Sequence, residues 1–272
     1  MAHPQIAAFA RLANGGQPPA RTVFGQVSKL SRTMHDIRYD EVHDEFLVVN
    51  PFAEAILTFR GATSGQESPV RIIQGPHVQI GGNRLDVDPV HNEIFVPDNN
   101  RIRVYPREAN GDVAPIRIIE GPNTQLTRAQ SVSVDPINNL LVVGFNKQEN
   151  DPDGAILIFN RTDNGNVKPR NVIRGPKSGI IRINQMAVYP PKRLIVATMP
   201  GLADLMEPPQ AFLGIWTYDD NGDTPPKWKI PIGPKTTLKK PFGVVLNPKN
   251  KEIIISDMRL NGVLTFSVPE IF

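Results

Sequence analysis

His35 and Asp36 are adjacent, which sets a possible general base beside a carboxylate that could orient it or hold a metal. Arg84 follows Asn83, and Gln185 follows Asn184. An arginine can stabilise developing negative charge, and carboxamide oxygens can ligate a divalent cation or hold a substrate carbonyl. The chain has 272 residues and no cysteine, so disulfides, thiolate metal sites and a cysteine nucleophile are excluded. It also has no zincin helix motif, Gly-x-Ser-x-Gly elbow, P-loop or dinucleotide fingerprint.

These polar pairs recur at one place in a repeat. One segment reads PVRIIQGP (69–76), PIRIIEGP (115–122) and PRNVIRGP (169–176), with looser copies at 18–26 and 226–234. Another reads IRYDEVHDEFLVV (37–49), LDVDPVHNEIFV (85–96), VSVDPINNLLVV (132–143), MAVYPPKRLIVA (186–197) and VVLNPKNKEIII (244–255). Its turn anchors are Asp40, Asp88, Asp135, Tyr189 and Asn247, spaced by 48, 47, 54 and 58 residues. Each period holds four short runs rich in Ile, Val and Phe, bounded by Asn, Asp, Gly and Pro, as strands and turns require. Asn110-Gly111, Asn164-Gly165 and Asn221-Gly222 follow the third run and read as hairpin turns. With 27 prolines and no sustained helical period, the chain reads as all-β.

Four strands in a period of about 40–50 residues are the arithmetic of a β-propeller blade. The expectation is one domain over 1–272 with five four-stranded blades, or six if an upstream piece belongs to it. The chain opens with a third and a fourth strand and ends with a first, second and third. Arg21–Phe24 is therefore expected to close the fifth blade beside Val263–Ser267.

Pro241-Phe242-Gly243-Val244-Val245-Leu246-Asn247 resembles the innermost strand of NHL-type propellers. The GDVAPIRIIEGP segment (111–122) looks like repeats of uncharacterised bacterial propellers. The resemblance implies a binding face built from the fourth-to-first and second-to-third loops. The position five before each anchor holds His35, Asn83, Gln130, Asn184 and Phe242; the next holds Asp36, Arg84, Ser131, Gln185 and Gly243. Second-to-third loops add Asn50, Asp98, Asn99, Asn146 and Asp257. The long fourth-repeat loop, 199–213, carries Asp204 and Glu207 beside Leu202, Leu205 and Met206. Ile37, Leu85, Val132, Met186 and Val244 form an apolar column expected in the core. Arg38 and Asp86, and Asp36 and Arg84, are expected to make salt bridges. His77 lies near the mouth, while His43 and His91 read as turn residues.

The formal net charge is +3, but Lys and Arg are spread along the chain, which argues against nucleic acid. No window is long and apolar enough for a membrane span, and no signal-peptide pattern opens the chain. A periplasmic or extracellular location stays open for a mature form. The leading expectation is a non-enzymatic module that binds a protein, glycan or small molecule without a cofactor. Its binding residues would be His35, Asn83, Gln130, Asn184, Gln185, Asn50, Asp98, Asn146, Asp204 and Asp257. The alternative is a lactonase-like hydrolase or lyase at the same face. There His35 is the base, Asp36 its partner and Arg84 the stabiliser, and Asp36, Asn83 and Asn184 could ligate calcium.

Overall fold

A computed structural model describes residues 4–32, 34–146, 154–202 and 205–272. Among these residues every regular element is a strand or a single 3-10 turn. The first repeat supplies β3 (Asp36–Asp40), β4 (Glu45–Asn50), β5 (Ala55–Arg60) and β6 (Arg71–Ile73). The second supplies β7 (Asp86–Asp88), β8 (Glu93–Asp98), β9 (Arg101–Pro106) and β10 (Arg117–Glu120). The third has β11 (Ala129–Asp135), β12 (Leu140–Phe145), β13 (Ala155–Asn160) and β14 (Asn171–Ile173). The fourth has β15 (Met186–Tyr189), β16 (Leu194–Met199), β17 (Phe212–Thr217) and β18 (Trp228–Pro231). Each set is a four-stranded meander in chain order.

The fifth repeat, β19 (Pro241–Asn247), β20 (Glu252–Asp257) and β21 (Gly262–Ser267), forms a three-stranded sheet with β21 at its edge. β1 (Gln5–Ala8) and β2 (Arg21–Phe24) pair with each other along their whole length. Arg21–Phe24 was expected beside Val263–Ser267; its recorded sheet neighbour is Gln5–Ala8. β2 still behaves as a fourth strand on its far side, where Val23 bridges Gly65 as Ile119 bridges Gly165 and Ile173 bridges Gly222.

The chain divides into two compact units, Met1–Val96 with Val104–Ile116, and Pro97–Arg103 with Arg117–Phe272. In the first, Leu47, Ile56, Leu85, Ile94 and Tyr105 share one apolar layer, and Val23, Phe46, Val48, Leu57 and Phe59 another. Phe46 and Phe59 stack with centroids 5.0 Å apart. In the second, inner strands β11, β15 and β19 pack in succession. Met186, Ile195, Phe212 and Trp216 fill one layer there, and Val244, Ile253, Ile255 and Leu213 the next. The apolar column is not uniformly core. Leu85, Val132, Met186 and Val244 are buried, while Ile37 is 44% exposed.

The turn anchors behave as their types require. Asp40 Oδ1 accepts the N–H groups of Val42 and His43, and its Oδ2 meets His43 Nδ1 at 2.8 Å. Asp88 repeats this with Val90 and His91, and Asp135 with Ile137 and Asn138. Tyr189 and Asn247 lack that carboxylate, and their turns are 3-10.

The Asn-Gly pairs are not hairpin turns between neighbouring strands. Asn110 Oδ1 accepts Ile72 N–H (2.9 Å), Asn164 accepts Ile118 N–H (3.1 Å) and Asn221 accepts Val172 N–H (2.9 Å). The glycine that follows exchanges backbone hydrogen bonds with the same outer strand. Each pair contacts the fourth strand of the preceding repeat; five residues separate the pair from its own next strand and leave it free to reach across.

Candidate functional site

In the first unit, Asp36 opens β3 and is buried. Its Oδ1 accepts Ile37 N–H (3.1 Å) and its Oδ2 accepts Leu85 N–H of the next repeat (3.2 Å). Arg84 reaches back, donating from Nη1 to the carbonyls of His35 (2.7 Å) and Asn83 (3.1 Å). Arg38 pairs with Asp86 at 3.2 Å and with Asp36 at 3.7 Å, as expected for the first pair. Burial works against the Arg38 charge, but the carboxylates of Asp36 and Asp86 outweigh it and raise its pKa above the ordinary arginine value. Asn50 is buried and accepts Ser31 Oγ–H at 2.8 Å.

The His35 ring has no hydrogen-bond partner among the described residues, so Asp36 does not orient it. Partial burial and the nearby Arg84 charge push its pKa below the ordinary histidine value. The neutral imidazole is thereby favoured. An NMR titration is expected to place its midpoint below 6.5, with Arg84→Gln moving it upward; a midpoint above 6.5 would contradict this environment. His77 is committed elsewhere, its Nδ1 lying 2.7 Å from Asp112 Oδ2.

The second unit repeats the same device. Gln185 Oε1 accepts Val244 N–H (2.7 Å), as Asp36 accepts Leu85 N–H one step into the next repeat. Asn184 Nδ2 and Thr198 Oγ1 both donate to the Phe242 carbonyl at 2.8 Å. Asn146 Oδ1 accepts Ile183 N–H at 3.0 Å. Asp257, 2% exposed, accepts four backbone N–H groups: Lys239, Lys240, Arg259 and Leu260. Asp98 pairs with Arg103 and accepts from Asn99 Nδ2. Gln130 sits in a bulge between Ala129 and Ser131, half-buried. Neither its side-chain amide nor that of exposed Asn83 has a partner among the described residues. Asp204 lies outside the described residues.

Four of these polar side chains, Asp36, Arg84, Asn184 and Gln185, thus staple one repeat to the next through backbone N–H and C=O groups that need partners. Among the described residues, no group of three or more His, Asp or Glu is placed to hold a metal ion.

The 199–213 loop is built differently. Lys240 Nζ donates to the Leu205 carbonyl at 2.6 Å, and Glu207 bridges Lys239 (3.1 Å) and Arg259 (3.5 Å). Gly201, at φ +73°, lies where a Cβ would meet Pro208 at 2.5 Å, so the loop's base is closed. Between these ties Leu205 and Met206 are 44% and 64% exposed, beside Met258 and Leu260 of the β20–β21 hairpin at 60% and 44%. Met258 and Leu260 escaped the sequence reading, because two apolar residues in a turn carry no periodic signal.

No family model matches the chain, and no curated protein does. Solved structures do. The Mitotic Checkpoint Complex structure aligns at TM-score 0.58 and 15% identity, over 92% of this chain and 65% of the other. The WD40 β-propeller domain of Doa1 aligns at TM-score 0.62 and 12% identity, over 97% and 72%. The chain is a β-propeller. Hydrazine synthase from Kuenenia stuttgartiensis aligns at TM-score 0.63 and 12% identity, over 91% and 70%. At such identities the likeness carries the fold of the propeller and nothing of its activity. This propeller spans less than two thirds of the first of these chains. Its five repeats are five blades, and no helix among the described residues is long and apolar enough to cross a membrane.

Proposed function

We propose that this propeller is a binding module whose fourth and fifth blades present an apolar surface to a protein partner. The observation that carries the reading is that Leu205, Met206, Met258 and Leu260 are exposed on two loops tied together by Glu207, Lys239, Lys240 and Arg259. Loose apolar loops fold down onto their own protein. Here the ties hold them out, so little ordering cost remains on binding. Methionine adapts to the shape of an apolar partner, which suits a recognition surface. The likeness to the WD40 propeller of Doa1 and to a chain of the Mitotic Checkpoint Complex structure supports the same class. The motif at Pro241–Asn247 supports an NHL-like reading of the repeats.

Affinity enrichment with quantitative mass spectrometry tests this on the wild type, Met206→Asp and Met258→Asp. Partners specific to the wild type should fall at least tenfold with either variant, at unchanged melting temperature. Partner sets that survive both substitutions, or saturable binding on a glycan array that ignores them, would overturn the placement.

A further inference from the structure

Asparagine followed by glycine carries a reaction of its own. The glycine backbone nitrogen can attack the carbonyl carbon of the asparagine side chain. A C–N bond forms, a cyclic imide closes, and the side-chain nitrogen leaves as ammonia with the proton that the backbone nitrogen gives up. Water then opens the ring to aspartate or isoaspartate, so the net change consumes water and releases ammonia, with no oxidant. Glycine favours the attack because it has no side chain to block the approach and its backbone bends readily. The chain holds five such pairs, at Asn14-Gly15, Asn110-Gly111, Asn164-Gly165, Asn221-Gly222 and Asn261-Gly262.

The fold does not treat the five alike. At the second pair one residue of an outer strand, Ile72, holds both reacting groups. Its N–H donates to Asn110 Oδ1 at 2.9 Å, and its carbonyl accepts Gly111 N–H at 2.7 Å. Ile118 clasps Asn164 (3.1 Å) and Gly165 (2.7 Å) in the same way, and Val172 clasps Asn221 (2.9 Å) and Gly222 (2.7 Å). Attack needs the nitrogen to shed its proton and close on the side-chain carbon in an aligned approach. The strand carbonyl keeps that proton, and the strand N–H keeps the side chain turned to the strand. Gly262 is fixed by other means, paired with Asp257 in the β20–β21 ladder.

Asn14-Gly15 lies in the loop between β1 and β2, and both residues are exposed. Asn14 N–H donates to Gln17 Oε1 at 3.2 Å, a bond that restrains neither the asparagine side chain nor the glycine nitrogen. Gly15 stands at φ +62° with open space where a Cβ would be. Among the described residues no outer strand clasps this pair.

We propose that Asn14 is a modification site, where the folded protein turns asparagine into aspartate and isoaspartate without an enzyme, and that Asn110, Asn164 and Asn221 are withheld from the same reaction by the strands they clasp. Conversion at Asn14 adds a negative charge to a loop that also exposes Phe9 and Leu12. A clasped pair reacts only through a form in which both of its bonds to the strand are broken, so its rate reports local opening of the blade rim.

The test holds the full chain in mildly alkaline buffer, and in parallel in urea sufficient to unfold it. Samples taken over time are mapped by peptide mass spectrometry, with aspartate and isoaspartate peptides separated. Each site is compared with itself, which removes any effect of its neighbours in sequence. Folding should slow Asn110, Asn164 and Asn221 at least tenfold each, and should slow Asn14 by less than tenfold. Clasped sites that react as fast in the folded protein as in urea would overturn the protection. An Asn14 slowed tenfold or more by folding would overturn the modification site.

Discussion

Asp257→Ala is expected to cost about 3–5 kcal/mol, among the largest single-residue losses in the molecule. The carboxylate is nearly fully buried and receives the N–H groups of Lys239, Lys240, Arg259 and Leu260 at 2.8, 2.9, 2.9 and 3.0 Å. Alanine leaves four donors without an acceptor, where water enters poorly. Asparagine keeps one acceptor oxygen and should lose about half as much. Denaturant melts of the three proteins measure this directly. Lys239, Lys240 and Arg259 also hold the 199–213 loop, so the alanine variant should lose partner binding as well. A loss below about 1 kcal/mol would mean that solvent replaces the carboxylate.

Glu45→Ala should cost about 3 kcal/mol in the other unit. Glu45 Oε2 bridges Arg71 and Arg107, the latter at 2.7 Å, and the Arg107 side chain is only 4% exposed. Removing the anion leaves two guanidinium groups facing one another, with Asp40 at 3.8 Å from Arg107 as the remaining buried countercharge. Replacing Arg71 by Met should be much less costly in a Glu45→Met background than in the wild type. Urea melts around that double-mutant cycle give the coupling. Equal costs in both backgrounds would show Arg71 and Glu45 to be independent.

The architecture was legible because it rests on side-chain types that act locally. An aspartate before a turn captures the next N–H groups whatever surrounds it, so Asp40, Asp88 and Asp135 marked their turns correctly. The polar residues at the mouth were harder. A carboxamide at the start of an inner strand can serve a ligand or the N–H of the neighbouring blade, and sequence alone does not give the direction. Gln185 and Asp36 turn to Val244 and Leu85, and Asn184 to Phe242. The Asn-Gly pairs misled for the converse reason: a strong local turn signal was used for a contact 38 to 49 residues back along the chain.

That backward reach has a consequence for a chain made from its N-terminus. The outer strand at Ile72 meets its acceptor only at Asn110, Ile118 only at Asn164, and Val172 only at Asn221. While the polypeptide is emerging from the ribosome, the rim of each of the first three blades therefore stays unlatched until most of another blade has been synthesised. Assembly runs one repeat behind translation, and a pause in synthesis leaves exposed the outer strand that was made last.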